Sequence, residues 1–359
     1  MQTYSTAARC RAGLAAVALF LTIGLPLLSA AHARAEEASL PYGPGTARIE
    51  IADARTDRPL SGRVWYPTAT PEVHQPLGTS KVWQMPDADP EAAPAKGVFP
   101  LLVVSHGTYG NTRNQAWLGS ALSRRGFIVA MVDHPGTSTF LRDPDQARQL
   151  WDRPVDLSRL ITWLLEASEL GDRIDRKRIY AAGHSLGGFT VAVLGGARFD
   201  SRRYRSICSE AGLKKVCAVF SGWSVSETKE DSAAMEVSRK DPRVTRIVSL
   251  DLGGTEVLSP KSLEDFDVPV LVFGAERGDM VDQNLESRAL AAALPASRVR
   301  HVELADGGHF DFMGRCKPEG YELLKVHEPG DEMVCVKGTE EREAQHRRIL
   351  DEMIDFLQD

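Results

Sequence analysis

The chain has few of the features that mark several large protein classes. Only five of its 359 residues are cysteine, and no two of these stand two or four apart, so a zinc ribbon or CxxC redox motif is excluded. No H-x-x-x-H pair or cluster of carboxylates and histidines points to a metal site. There is no basic run: 43 Lys and Arg against 49 Asp and Glu leave a net charge of −6, which argues against a nucleic-acid partner. No internal repeat or low-complexity tract occurs. Past the first thirty or so residues no apolar run approaches the roughly 20 residues of a membrane span. What is left is the balance of a soluble globular protein, 43% hydrophobic and 26% charged.

The single long apolar run, LAAVALFLTIGLPLLSA, follows Arg9 and Arg11 and leads into AHARAEEA. A charged start, an apolar middle containing Pro26 and an A-x-A site read as a secretory signal over residues 1–35, cut after Ala33 or Ala35. The chain is therefore expected to be exported, to the periplasm or beyond, with no stable membrane span after processing. Cys10 would leave with the signal. The other four, Cys208, Cys217, Cys316 and Cys335, are an even set suited to an oxidising compartment. Local closure favours the pairs Cys208–Cys217 and Cys316–Cys335.

Residues 48–53 and 61–66 read as two strands joined by a polar turn, and the Pro- and Ala-rich residues 72–97 as an extended surface loop. Beyond Phe99, apolar strands alternate with helices. PLLVVSHG, FIVAMVDHPG, RIYAAG, CAVFSGW, RIVSLDLG, VPVLVFGAE and RVRHVEL read as strands; NQAWLGSALSRRG, DLSRLITWLLEAS with Asp156 as N-cap, and the final EEREAQHRRILDEMIDFLQ read as helices. The alternation predicts an α/β fold with a mostly parallel central sheet and helices on both faces, as one domain over residues 36–359.

In such a sheet reactive groups gather at the carboxyl ends of the strands. There lies Gly183-His184-Ser185-Leu186-Gly187, a G-x-S-x-G sequence between an apolar strand and a small-residue helix. The glycines allow a sharp strand-to-helix turn that lifts the serine hydroxyl over a helix N-terminus. The pattern arises by chance in roughly one chain in ten of this length, so the strand–turn–helix context carries the weight. Ser185 is the expected nucleophile. Among nine histidines, His309 follows the last core strand in a glycine-rich loop and is the expected base. His106 and His134 are expected to serve as structural hydrogen-bonding groups, and His184 to pack beneath the turn.

The acid that orients the base must lie between serine and histidine in chain order. Asp279, after VLVFGAE, is preferred; Asp251, directly after RIVSL, is the alternative, and Asp282 and Glu276 are weaker. Backbone amides of Leu186 and Thr108 are the expected oxyanion donors, with Tyr109 next to Thr108. Trp117, Trp151 and Trp223 could line an acyl pocket, though for each plain core packing is the better reading.

At these residues the sequence resembles bacterial proteins labelled predicted dienelactone hydrolases, allied to the platelet-activating-factor acetylhydrolase family within the α/β-hydrolase superfamily. The resemblance rests on VVSHG, MVDHPG, AAGHSLGGFTVAVLGGARFD, the GGHFDFM ending with its following cysteine, and EAQHRRI; the cysteine spacing is also similar. It implies a cofactor-independent serine hydrolase acting on small-molecule or lipid-like carboxylic esters, with Ser185 and His309 as nucleophile and base. That group usually shows GEAD after its penultimate strand, whereas GAERGD here puts Arg277 at the acidic position. The acetylhydrolase branch carries its acid in an LD after the earlier strand, matched by Asp251. Dienelactone hydrolases proper generally use a cysteine where Ser185 stands. Acyl transfer or perhydrolysis on the same triad, and a non-catalytic binding protein on the same fold, are the competing expectations.

Overall fold

The computed structural model describes residues 40–52, 58–70, 75–209 and 215–359. The expected signal segment falls outside them. Pro41–Asp359 is one compact unit.

Its centre is a nine-stranded sheet: β1 (Gly43–Ile51), β2 (Leu60–Thr68), β3 (Asp89–Pro90), β4 (Phe99–Ser105), β5 (Ile128–Val132), β6 (Ile174–His184), β7 (Val244–Leu250), β8 (Val270–Ala275) and β9 (Val299–Leu304). The spatial order is β3-β1-β2-β5-β4-β6-β7-β8-β9. β1 and β2 form an antiparallel hairpin, and β2 runs antiparallel to β5. From β5 through β9 every pairing is parallel. Parallel strands buried on both faces need apolar residues at successive positions. FPLLVVS of β4 supplies them, each buried. Leu101 and Val103 enter one core, Leu102 and Val104 the other.

Five helices cover the two faces: α1 (Ala116–Ser123), α2 (Asp152–Glu166), α3 (Leu186–Gly195), α4 (Ser287–Ala293) and α5 (Thr339–Gln358). α1 and α5 pack Leu118, Leu122, Ile349 and Met353 on one face. α2, α3 and α4 pack Leu157, Leu160, Ile161, Leu164, Val191 and Leu290 on the other. Each such side chain contributes about 1.5–3 kcal/mol of burial, so the apolar stripes and not local propensity hold the helices in place.

Three sequence readings need correction. CAVFSGW is not a strand but part of a helix, Lys215–Gly222. A short apolar run looks the same in either state. Here Cys217 is bonded to Cys208 on the preceding helix, and Phe220 packs on Phe189, Phe199 and Tyr204. Asp156 is not an N-cap. α2 starts at Asp152 because Pro154 fits a first turn, whose N–H groups have no intrahelical partner. Asp156 thereby falls inside the helix and is fully buried. The loop over residues 72–97 is more than a surface excursion in its described part, residues 75–97. It donates β3 to the sheet edge and bridges Trp83 to Cys316, beside the Cys316–Cys335 disulfide. Among the described residues no helix is long and apolar enough to cross a membrane.

Candidate active site

β6 hands the chain to α3 through Ser185, whose backbone has φ 57° and ψ −120°. A left-handed conformation costs a non-glycine residue about 1–3 kcal/mol, so the surrounding packing must enforce it. The neighbouring glycines make it possible. A Cβ on Gly183 would lie 2.0 Å from the Gly187 carbonyl oxygen, and one on Gly187 would lie 2.0 Å from that of Ser105. The turn is pinned from the adjacent strand, because the Ser185 N–H donates to Leu250 O at 3.0 Å. Ser185 is thereby left partly exposed at the carboxyl end of β6, above the N-terminus of α3. The helix dipole there favours negative charge.

His309 lies in the turn after β9, with its ring buried beside that serine. Ser185 Oγ and His309 Nε2 are 3.0 Å apart, and His309 Nδ1 is 2.6 Å from Asp251 Oδ2. A carboxylate accepts only, so Nδ1 carries the proton and Nε2 is free to accept from the serine hydroxyl. Asp251 is fully buried at the end of β7, itself at φ 48°. Its second oxygen accepts from the Ala275 N–H at 2.8 Å and from Gln283 Nε2 at 2.7 Å. The carboxylate is therefore held on both oxygens and aimed at the ring.

Asp279, the aspartate preferred from sequence, does not reach the ring. Its Oδ1 accepts from the His309 backbone N–H at 3.0 Å and its Oδ2 pairs with Arg277 at 2.9 Å. Burial pushes its carboxyl up, but the His309 amide and the Arg277 guanidinium outweigh that and hold it below the ordinary value. The physical reason is local. After β8 the chain turns back at once, with the Gly278 N–H bonded to Ala275 O, which carries Asp279 to the backbone side of the histidine loop. Neither Asp282 nor Glu276 meets the ring: Asp282 accepts from the Asn284 N–H, and Glu276 from the Asp306 N–H.

Leu186 is the first residue of α3, where the helix itself gives the N–H no partner. Thr108 lies in an exposed turn closed by the Gly110 N–H on Gly107 O at 3.1 Å. That turn abuts the serine, since a Cβ on Gly107 would be 3.1 Å from Ser185 Cβ. Leu186 thus follows the serine directly in the chain, and Thr108 follows the residue that abuts it.

The other singled-out side chains sort as follows. His184 lies under the turn, buried, with Nε2 2.8 Å from the His309 carbonyl oxygen. Burial and the His309 ring hold its pKa well below the ordinary value, so the neutral ring donates through Nε2. His106 and His134 are buried and hydrogen-bonded. Trp117 stacks on His346 at 3.6 Å and donates to Phe312 O at 3.0 Å, and Trp151 packs against the core. Trp223 is buried too, but its Nε1 donates to the Tyr109 hydroxyl at 2.8 Å, so it supports the turn that carries Thr108. Sequence reasoning missed Gln283 and Arg153, both buried polar groups whose partners are distant in the chain. Both expected disulfides are formed.

Comparison with known proteins bears on the fold. Residues 113–270 match the Prolyl oligopeptidase family. Cutinase est1 of Thermobifida alba is 33% identical over 214 residues, 59% of this chain and 54% of the cutinase. Cutinase est2 of the same organism is 25% identical over 214 residues, which are 53% of its length. The match thus spans about half of each cutinase. A bis(hydroxyethyl) terephthalate hydrolase of Streptomyces coelicolor is 34% identical over 92 residues, 26% of this chain and 27% of the relative. Among solved structures, a ferulic acid esterase from Streptomyces cinnamoneus aligns with a TM-score of 0.58 at 21% identity, covering 87% of this chain and 89% of that one. The chain has the α/β-hydrolase fold.

Proposed function

We propose that this chain, a member of the α/β-hydrolase superfamily, is a serine hydrolase of carboxylic esters. One observation carries the reading: an unbroken hydrogen-bonded line from Ser185 Oγ through both nitrogens of His309 to Asp251, at 3.0 and 2.6 Å, mounted on a strained turn. The names of the matched relatives, cutinases and a terephthalate ester hydrolase, support ester substrates.

Ser185 attacks the ester carbonyl carbon while its proton passes to His309 Nε2, and the carbonyl electron pair moves to oxygen. The amides of Leu186 and Thr108 hold that oxyanion. Collapse expels the alcohol, which leaves with the proton from Nε2, and an acyl group stays on Ser185. Water then repeats the cycle: Nε2 takes its proton, the acid departs, and Ser185 recovers its hydrogen. Asp251 keeps the ring in its Nδ1–H tautomer and stabilises the imidazolium. The N-terminal segment and the paired cysteines support export, with action outside the cytoplasm.

The test is turnover of p-nitrophenyl esters of graded chain length by the mature protein, with fluorophosphonate labelling mapped by mass spectrometry. Turnover and labelling are expected for the native chain and absent in Ser185→Ala. Failure to hydrolyse any ester, or a label on another residue, would overturn the reading.

A further inference from the structure

A second serine–histidine–aspartate array lies beneath the strand ends. His134 Nε2 is 2.9 Å from Ser105 Oγ, and His134 Nδ1 is 2.9 Å from Asp156 Oδ2. All three residues are fully buried, so no substrate reaches Ser105. The surroundings brace the array. Arg58 grips Asp156 through Nε at 2.9 Å and Nη2 at 2.8 Å. Arg153, also buried, donates to Ser105 Oγ at 3.1 Å, to Thr190 Oγ1 at 2.9 Å and to the carbonyl of His106.

The array leads toward the nucleophile through one side chain, His106. The His134 backbone N–H donates to His106 Nε2 at 3.0 Å, which makes that nitrogen the acceptor and puts the proton on Nδ1. His106 Nδ1 then donates to the Gly107 carbonyl at 2.8 Å. Burial, and after it the Arg153 charge, hold both imidazoles well below their ordinary range, so these roles do not change near neutral pH. In a trans peptide C=O and N–H point to opposite sides. The bonds that Gly107 O receives from His106 and Gly110 therefore turn the N–H of the same peptide, that of Thr108, the other way. Arg153 fastens the preceding peptide through the His106 carbonyl, so two successive peptide units are clamped.

We propose that the buried Ser105–His134–Asp156 array is a positioning device that acts through His106 to aim the Thr108 amide at the oxyanion. This rests on the hydrolase reading of Ser185 and Thr108. His106 touches no reacting atom and is a positioning residue.

His106→Asn and His106→Gln separate the two functions of the ring. The Asn amide can replace the Nδ1 donor to Gly107 O but cannot reach the His134 N–H; the Gln amide does the reverse. With p-nitrophenyl butyrate, His106→Gln should lose about 100-fold in kcat with KM near that of the native chain, the effect of a misplaced oxyanion donor. Its affinity for a trifluoromethyl ketone, which mimics the tetrahedral oxyanion, should fall by the same factor. His106→Asn should recover about tenfold of both losses but not the remainder, because its tie to the His134 N–H is cut, and full recovery would refute the role of the array. Equal losses in the two variants, a loss confined to KM, or unchanged ketone affinity would overturn the proposal. If His106→Gln does not fold, Ser105→Ala serves: freeing His134 from one neutral hydrogen bond should lower kcat about fivefold with KM unchanged, and an unaltered kcat refutes the device. A native chain that turns over no ester fails earlier, at the hydrolase reading. An active native chain with indifferent variants fails here.

Discussion

Glu286 offers a measurement on stability that is independent of catalysis. It is buried at the start of α4, and its Oε2 accepts from the Gly254 and Thr255 N–H groups, each at 2.8 Å. Those residues belong to the loop after Asp251, whose Gly253 N–H reaches Ser185 O at 3.4 Å. Burial pushes the Glu286 carboxyl up from 4.5 to about 7, against the pull of the two amides. Between those values the folded protein keeps a proton that the unfolded chain releases. Stability is therefore fullest near the unfolded value and declines as pH rises toward the folded one. At 1.36 kcal/mol per unit the decline amounts to roughly 3 kcal/mol, complete somewhat above pH 7. Glu286→Gln removes the titration and leaves an amide oxygen able to accept both N–H groups. Urea unfolding followed by circular dichroism, from about pH 4.5 to about pH 8, should show the native chain losing roughly 3 kcal/mol relative to the variant. A difference between the two proteins that stays constant across this range would refute the reasoning, as would one that moves in the native chain's favour as pH rises.

The remaining expectations concern the candidate site and its frame. Asp251→Asn should lower kcat by about 10⁴, as expected when the histidine loses its tautomer, whereas Asp279→Asn should stay within about tenfold; steady-state kinetics on one ester compares them, and the reverse ranking would return the acid to Asp279. Gln283→Leu removes one of the bonds that hold Asp251 and should cost kcat, per active site counted by fluorophosphonate titration, about fivefold to tenfold with little change in KM, while a loss confined to the number of titratable sites would count against it. Replacing Cys316 and Cys335 together by serine should destabilise by about 3 kcal/mol, somewhat more than the same change at Cys208 and Cys217, whose loop is shorter; paired urea titrations decide the order.

The candidate nucleophile, Ser185, was legible because everything that defines it is local: a strand, a turn that needs glycines and a helix lie within one short stretch of chain. His309 was legible for a similar reason, as the histidine in the glycine-rich turn after the last strand. The aspartate that meets the His309 ring was not, because the two aspartates differ only in what the sheet does around them. Asp251 ends β7, the strand beside the one that delivers Ser185; its N–H is bonded to Phe273 O on β8, and β8 also supplies the Ala275 amide that fixes its carboxylate. Parallel register across three strands decides that geometry, and no segment of sequence displays it. Asp279 stands at a plausible spacing, but the tight turn after β8 spends its carboxylate on a backbone amide and Arg277. The buried array was invisible for the same reason, since Asp156 and the Arg58 that grips it are 98 residues apart and meet only once β2, which follows Arg58, and α2 are in place. The burial of Asp156 in particular was hidden by reading it as a cap, an assignment that left it exposed and gave no cause to seek a partner. Residues whose function follows from chain-local geometry can thus be named from sequence. Those proposed to orient them, Asp251, Gln283, His106 and Arg153, take their meaning from contacts between strands and helices far apart in the chain.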